Sequence, residues 1–328
     1  MREWRASGVP VPRPRVPVVT VADWLAAGQA RLGLELVAGA AGMQRRIGEA
    51  AIHRPGLALT GFFRHFPPRR IQLLGLAEMS YLASLAGGAR ADRLRRLFAQ
   101  RIPCVVVSRR QKIPPELVRL GEAFRTPVLR TPLVTKHFVN AATLVMERLM
   151  APQVLVQGTM VDILGIGVLL EGPPGVGKSE TALDLIVKGH RLVADDVTML
   201  RRDSAGVIIG MPAGVTRYHL EIRGLGIIHV PSLFGVASVL AEKRLDLIAS
   251  LCPLPAAAGD RSGQGSGKRT VLGMEIPTIA IPVAPGRDVA NIVEAAALDQ
   301  QLKRLGHDAA KELDEKLIAV LAGGRRRA

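Results

Sequence analysis

Aromatic side chains are scarce in this 328-residue chain, with 7 Phe, 2 Trp and 2 Tyr making up 3% of it. Proteins that grip single-stranded nucleic acid stack bases on aromatic rings, so that mode of binding is not expected here. Cysteine is scarcer still. Cys104 and Cys252 have neither metal nor redox spacing and are too few for a disulfide framework. A reducing cytoplasm is the expected setting. The 7 His offer no zinc spacing. Gly, Pro or charge interrupts each apolar run before it reaches the ~18 residues of a membrane-spanning helix. The Arg- and Pro-rich stretch 1–17 lacks the apolar segment of a secretory signal. Asn-Lys-x-Asp, which reads guanine, is absent. So is the Gly-x-Ser-x-Gly of a hydrolase nucleophile.

Basic residues are abundant, and their placement is uneven. The net charge is +16, yet residues 1–150 hold 24 Lys and Arg against 9 Asp and Glu, while residues 151–328 hold 20 against 19. Such an excess suits an acidic protein partner or nucleic acid. With so few aromatics and no recognition motif, nucleic acid is not expected. An apolar content of 48% excludes global disorder, and the length suits two domains with a core each.

The expected organisation is a flexible arm over 1–17, a small α/β domain over 18–132 and a catalytic domain over 133–328. Helical spacing over 21–32 and 91–99 alternates with apolar strands such as 104–107. Residues 134–150 read as an amphipathic connector, with Phe138, Ala142, Val145 and Leu149 on one stripe. Glycine-punctuated strands follow over 154–170, then strands at 191–194, 207–209, 227–230 and 276–283. The Gly-rich stretch 259–268 reads as a loop. A helix is expected over 288–305, started by Asp288 and stopped by Gly306. Another is expected over 309–321.

The densest signal is Gly172-Pro173-Pro174-Gly175-Val176-Gly177-Lys178-Ser179, a fit to G-x-x-x-x-G-K-[S/T] between an apolar strand and a helix. Glycines let backbone N–H groups turn onto phosphate oxygens, and a helix N-terminus adds its own free N–H groups. Lys178 is placed to reach the β and γ phosphates, and Ser179 to put its hydroxyl on Mg²⁺. Asp195 and Asp196 end the strand 191–194, which is expected to lie beside the phosphate-loop strand. Asp195 follows Lys178 by 17 residues, so one helix joins the two strands. Carboxylates at such strand ends hold Mg²⁺ or accept a hydroxyl proton. Glu221 and Arg223, close to Gly224 and Gly226, are compatible with a metal ligand or with an ordinary hairpin ion pair. Arg261 is compatible with an arginine finger or a linker arginine. Pro282 to Arg287, which includes Gly286, leads into a helix N-terminus that could hold an anion.

Together, the runs 172–180, Gly189 to Asp196 and Leu220 to Ile228 resemble the HPr kinase/phosphorylase family. Arg54-Pro55-Gly56-Leu57, Gly61-Phe62-Phe63 and Arg70 to Gly75 with Glu78, Tyr81 and Leu82 resemble that family's N-terminal domain. The resemblance implies a serine kinase that uses ATP or pyrophosphate on the phosphocarrier HPr and reverses the reaction with inorganic phosphate. It also implies a homohexamer and a P-loop kinase domain similar to phosphoenolpyruvate carboxykinase. Carried over by position, Lys178 binds the transferring phosphate, and Ser179 and Glu221 bind magnesium. Asp195 is base and acid, Arg261 a catalytic arginine, and Pro282 to Arg287 the segment tied to dephosphorylation. The chain departs from the family at three places, and at one of them Pro173-Pro174 replaces the more usual acidic and small residues of the glycine loop. Gln157 stands for its His, within a segment where Gly158 and Asp162 still match, and His229 stands for its Asp. The alternatives are a small-molecule kinase related to carboxykinases and a nucleotide sensor with weak or kinase-only activity.

Overall fold

A computed structural model of the chain describes residues 14–214, 217–253, 266–308 and 312. It divides into two compact units, Val16–Ala151 and the remainder, which is built mainly from Pro152 onward. Among the described residues no helix is long and apolar enough to cross a membrane.

The first unit runs β1 (Val19–Thr20), α1 (Val21–Leu32), β2 (Glu35–Ala38), β3 (Arg46–Ile47), β4 (Ile52–His53), α2 (Gly56–Leu59), β5 (Ile71–Leu74), α3 (Leu76–Ser84), α4 (Gly87–Ala99), β6 (Val105–Val107), α5 (Pro115–Ala123), β7 (Val128–Arg130) and α6 (Thr135–Met150). Helix α1 starts at a capping box: Thr20 accepts from the Asp23 N–H while Asp23 accepts from the Thr20 N–H. It stops at left-handed Gly33. The main sheet has the order β2-β7-β6-β5-β4, parallel except for its β2 edge. Parallel sheets need cover on both faces, and the alternation of side chains supplies it. Ile71, Leu73, Val106 and Leu129 pack with α1 and α6, whereas Leu74, Val105, Val107 and Val128 pack with α3, α4 and α5.

Helix α6 therefore belongs to this unit. The sequence expectation ended the first domain at 132, but Phe138, Ala142, Val145 and Met146 are buried in its core, where Phe138 meets Trp24 edge-on. An apolar stripe shows that a helix is buried without showing against what. The expected arm is also shorter than 1–17, because Arg15 exchanges backbone hydrogen bonds of 2.9 and 3.0 Å with Gln153.

The second unit runs β8 (Gln153–Gln157), β9 (Thr159–Ile163), β10 (Ile166–Glu171), α7 (Lys178–Val187), β11 (Arg191–Ala194), β12 (Val197–Arg202), β13 (Ile208–Pro212), β14 (His219–Ile222), β15 (Gly226–His229), α8 (Val230–Phe234), β16 (Lys243–Arg244), β17 (Leu247–Pro253), β18 (Ser266–Val271), β19 (Met274–Val283) and α9 (Val289–Arg304). A six-stranded sheet of order β11-β9-β10-β17-β19-β18 carries α7 and α9 on one face through Val161, Ile163, Val168 and Leu170. Its other face, through Met160, Leu169 and Ile248, packs on a four-stranded sheet of order β16-β13-β12-β8. Asp288 caps α9 by accepting from the Asn291 N–H, as its position predicts. Apart from Glu312, the helix expected over 309–321 lies outside the described residues, as does most of the loop 259–268.

The structure corrects one neighbour relation. Strand β11 does not lie beside β10, because β9 intervenes, antiparallel to both. Leu164 and Gly165, both at positive φ (50° and 93°), let β9 fold back onto β10 in a tight hairpin that takes the place β11 was expected to fill.

Gly167 in β10 is a tight point: a Cβ there would stand 1.9 Å from the Arg244 carbonyl oxygen. Gly167→Ala should cost about 1–3 kcal/mol. Gly88, in α4 with open space around it, should respond oppositely, Gly88→Ala gaining up to about 1 kcal/mol. Urea unfolding midpoints check both signs.

Candidate active site

Strands β10, β17 and β19 are parallel, with Glu171 level with Ser250 and Pro253 with Val283. Their carboxyl ends therefore meet one edge of the sheet, where ligands bind in open α/β folds. The loop Gly172 to Gly177 leaves β10 at that edge and feeds α7. Gly172, Gly175 and Gly177 take φ of 149°, 79° and 101°, and a Cβ on Gly172 would meet the Leu251 carbonyl at 2.6 Å. Only glycine suits such a path. No side chain caps the N-terminus of α7, so its first N–H groups remain available to an anion. Pro173, Pro174 and Gly175 are exposed, and Val176 is half-buried.

Asp195 links three elements to this loop. Its Oδ1 accepts from the Ser179 hydroxyl at 3.0 Å and from the Thr159 hydroxyl at 2.7 Å, and its Oδ2 accepts from the Glu221 N–H at 3.2 Å. Lys178 folds back along the loop, its Nζ donating to the carbonyls of Gly172 at 3.1 Å and Pro173 at 3.3 Å. Asp196 turns away in the left-handed region (φ 59°), its backbone carbonyl accepting from the Gly158 N–H. Gln157 is exposed at the end of β8, paired across the ladder with Val197, beside the Asp195-Asp196 turn.

The β14–β15 hairpin brings Glu221 and Arg223 to the loop. Leu220 and Ile222 are buried in the same core as α7, while Gly224 and Gly226, at φ of 84° and 90°, make the tight reversal. The Arg223 Nη2 lies 3.1 Å from where a Cβ on Gly175 would stand. Its guanidinium therefore lies over the glycine loop. On the far strand, His229 Nδ1 is 2.7 Å from the Ser232 hydroxyl, and its ring centroid is 5.0 Å from that of His219.

Pro282, level with Cys252, is the last residue but one of β19, and exposed Gly286 and Arg287 lie between that strand and α9. They share the sheet edge with the glycine loop, but among the described residues no hydrogen bond joins the two segments. Arg261 lies outside the described residues. Burial raises the pKa of the Cys104 and Cys252 thiols, so neither is disposed to act as a thiolate. No three His, Cys, Asp or Glu converge among the described residues. Ser179 and Glu221 could hold a metal ion, since Asp195 ties both their elements to the loop.

Sequence reasoning missed Thr159. It is fully buried at the head of β9, and its hydroxyl orients the acid. The only sequence signal was its place directly after Gln157-Gly158.

Comparison with known proteins agrees over both units. The family described as HPr Serine kinase N terminus matches residues 19–146, and HPr Serine kinase C-terminal domain matches residues 148–317. An HPr kinase/phosphorylase of Geobacillus thermodenitrificans is 41% identical over 294 residues, covering 89% of this chain and 95% of that relative. HPr kinase/phosphorylases of Halalkalibacterium halodurans (40% over 297 residues; 90% and 96%) and Shouchella clausii (42% over 291 residues; 88% and 94%) are similar to the same extent. With the glycine loop, its tethered acid and matches along both units, the chain belongs to the HPr serine kinase family.

Proposed function

We propose that this chain phosphorylates a serine of HPr from ATP or pyrophosphate and reverses the reaction with inorganic phosphate. The observation that carries the proposal is the Asp195 carboxylate, bonded to Ser179 in the first turn behind the glycine loop. In the forward direction the serine oxygen attacks the terminal phosphorus of the donor. The bond to the bridging oxygen breaks, ADP or phosphate leaves, and the serine proton passes to Asp195. In reverse, an oxygen of inorganic phosphate attacks the phosphoserine phosphorus, the serine oxygen leaves and takes its proton from Asp195, and pyrophosphate forms.

The chain's own groups divide the work. Backbone N–H groups of Gly172 to Ser179 bind the donor phosphates. Lys178 leaves the loop carbonyls to neutralise charge on the moving phosphoryl group. Arg223, over the loop, and Arg261 supply further positive charge. Ser179 and Glu221 would hold magnesium, which would supply positive charge to the donor phosphates. Pro282, Gly286 and Arg287 serve the dephosphorylation direction. Exposed Leu225, Ile227, Leu233 and Val236 beside the site give a protein substrate or a second copy an apolar surface to cover. The family resemblance implies that such copies form a hexamer in the cytoplasm.

The direct test is incubation with HPr, Mg²⁺ and either ATP or pyrophosphate, followed by mass analysis for phosphoserine. No transfer from either donor, where the donor is bound, refutes the proposal. Asp195→Asn keeps the shape and removes the base, so transfer should fall by ~10²–10⁴-fold with nucleotide affinity little changed. Transfer at the parental rate would move the role elsewhere.

Gln157 gives a second prediction. A His close to the acid can become cationic near pH ~6.5 and draw in phosphate, whereas Gln offers hydrogen bonds without charge or titration. Gln157→His should therefore raise phosphorolysis, more on the acidic side, and leave the forward rate nearly unchanged. Rates for both directions between about pH 5.5 and 8 decide it. Superimposable profiles for parent and variant would count against the assignment.

A further inference from the structure

The β14–β15 hairpin carries a pair of histidines that the phosphotransfer proposed above does not use. Leu220 and Ile222 turn into the core, so strand alternation puts His219 on the opposite, outer face. Across the ladder His219 stands level with His229, and the side chains of directly opposed residues project from one face. The two rings lie 5.0 Å apart, centroid to centroid, with an interplanar angle of 45°. His219 is half-buried and His229 exposed, so the pair is open to solvent.

The backbone beside the pair is firmly held. Val230, directly after His229, is fully buried and donates its N–H to the Tyr218 carbonyl at 3.0 Å. The imidazoles are oriented as well as placed. Nδ1 of His219 is 3.0 Å from the Arg217 carbonyl, and Nδ1 of His229 is 2.7 Å from the Ser232 hydroxyl. A carbonyl can only accept, so the neutral His219 ring carries its proton on Nδ1 and leaves the Nε2 lone pair open. The Ser232 hydroxyl can accept from His229 in the same way. Among the described residues neither Nε2 has a hydrogen-bond partner. A metal-bound histidine has this arrangement: one nitrogen donates to an oxygen that fixes the tautomer, and the other faces the ion.

The spacing agrees. Two imidazoles on one ion, with metal–nitrogen bonds of about 2.0–2.1 Å at a tetrahedral angle, have centroids about 5 Å apart. Two rings packed without an ion can sit at that separation too, but packing does not require both Nδ1 atoms to be anchored. Imidazole suits Zn²⁺, Ni²⁺ and Cu²⁺, whereas Mg²⁺ takes oxygen ligands. Glu221 shares the outer face two positions along β14, yet no three ligands converge among the described residues. Water would fill the remaining positions.

We propose that His219 and His229 bind a divalent transition-metal ion of the Zn²⁺ or Ni²⁺ kind across the hairpin. The site is separate from Ser179 and Glu221, and the proposal does not depend on which protein the glycine-loop site phosphorylates. An ion held there would tie β14 to β15, the two strands that carry Arg223 over the glycine loop. The test is isothermal titration of the untagged full chain with Ni²⁺ and, separately, Zn²⁺, in excess Mg²⁺ so that oxygen sites are filled. One ion should bind per chain. Loss of an outer partner of a metal-bound histidine already costs about 10–100-fold in affinity, so His219→Gln and His229→Gln should each weaken binding about tenfold or more. His137→Gln, which removes an exposed histidine from α6, should leave it unchanged. If His219→Gln alters the circular dichroism, the exposed His229→Gln decides. No binding of either ion up to about 1 mM would overturn the proposal. So would binding that persists undiminished in His229→Gln, or that falls equally in His137→Gln.

Discussion

The carboxylate of Asp195 accepts from Thr159 at the head of β9, from Ser179 in the first turn of α7 and from the Glu221 amide on the hairpin. These groups come from elements far apart in sequence, and one side chain holds them within hydrogen-bond reach of one another. The loop glycines determine the path of the backbone. Asp195 determines what stands beside it: a hydroxyl suited to a metal, a second carboxylate on Glu221, and Arg223 on the same hairpin, lying over Gly175. Without that carboxylate the hairpin would keep its core contacts through Leu220 and Ile222 but lose its bond to the acid beside the glycine loop. If Asp195 takes the proton, as proposed, an acceptor that also organises its surroundings would not have to be moved into place when the reaction starts.

Strand parity explains why the intervening β9 does no harm to this arrangement. Strand β9 is antiparallel to both β10 and β11, so β11 runs in the same direction as β10 and delivers Asp195 to the same sheet edge. The intervening strand contributes as well. Its first residue, Thr159, sits at that edge because β9 starts where β10 ends, with Thr159 level with Leu170. A direct β10–β11 pair would bring Asp195 to the edge without this buried hydroxyl.

The parts of the site legible in the sequence were those coded locally. The glycine loop, the strand ending at Asp195, the capping of α9 by Asp288 and the span of α1 each depend on residues within a few positions of one another. What the sequence left open depends on distant partners. The apolar run over 154–170 shows strands, but nothing in it says that one folds back to separate β10 from β11. The stripe on α6 shows a buried face, but Trp24, which it meets, lies more than a hundred positions earlier. Thr159 looks like any strand threonine until the fold sets it against Asp195. Arg223 stands in a turn whose place over Gly175 is fixed only by the packing of β14 on α7.

Register is the remaining constraint, and buried charge fixes it. Asp162 in β9 is 2% exposed and lies level with Arg191 of β11, which donates to it at 2.6 Å, and Lys243 of β16 reaches its other oxygen at 2.6 Å. Asp246 accepts from the Gly167 N–H of β10 and from Arg304 of α9. Glu171, the last residue of β10, pairs with Arg269 of β18. Apolar contacts alone would tolerate other alignments of strands this rich in Val, Leu and Ile. A slip of one residue would turn every side chain to the opposite face and leave these carboxylates buried without partners, a penalty of about 3–5 kcal/mol for each broken pair. The glycine loop begins directly after Glu171. The pairs that hold β10 in register therefore also fix where the loop starts, and with it the position of Ser179 opposite Asp195.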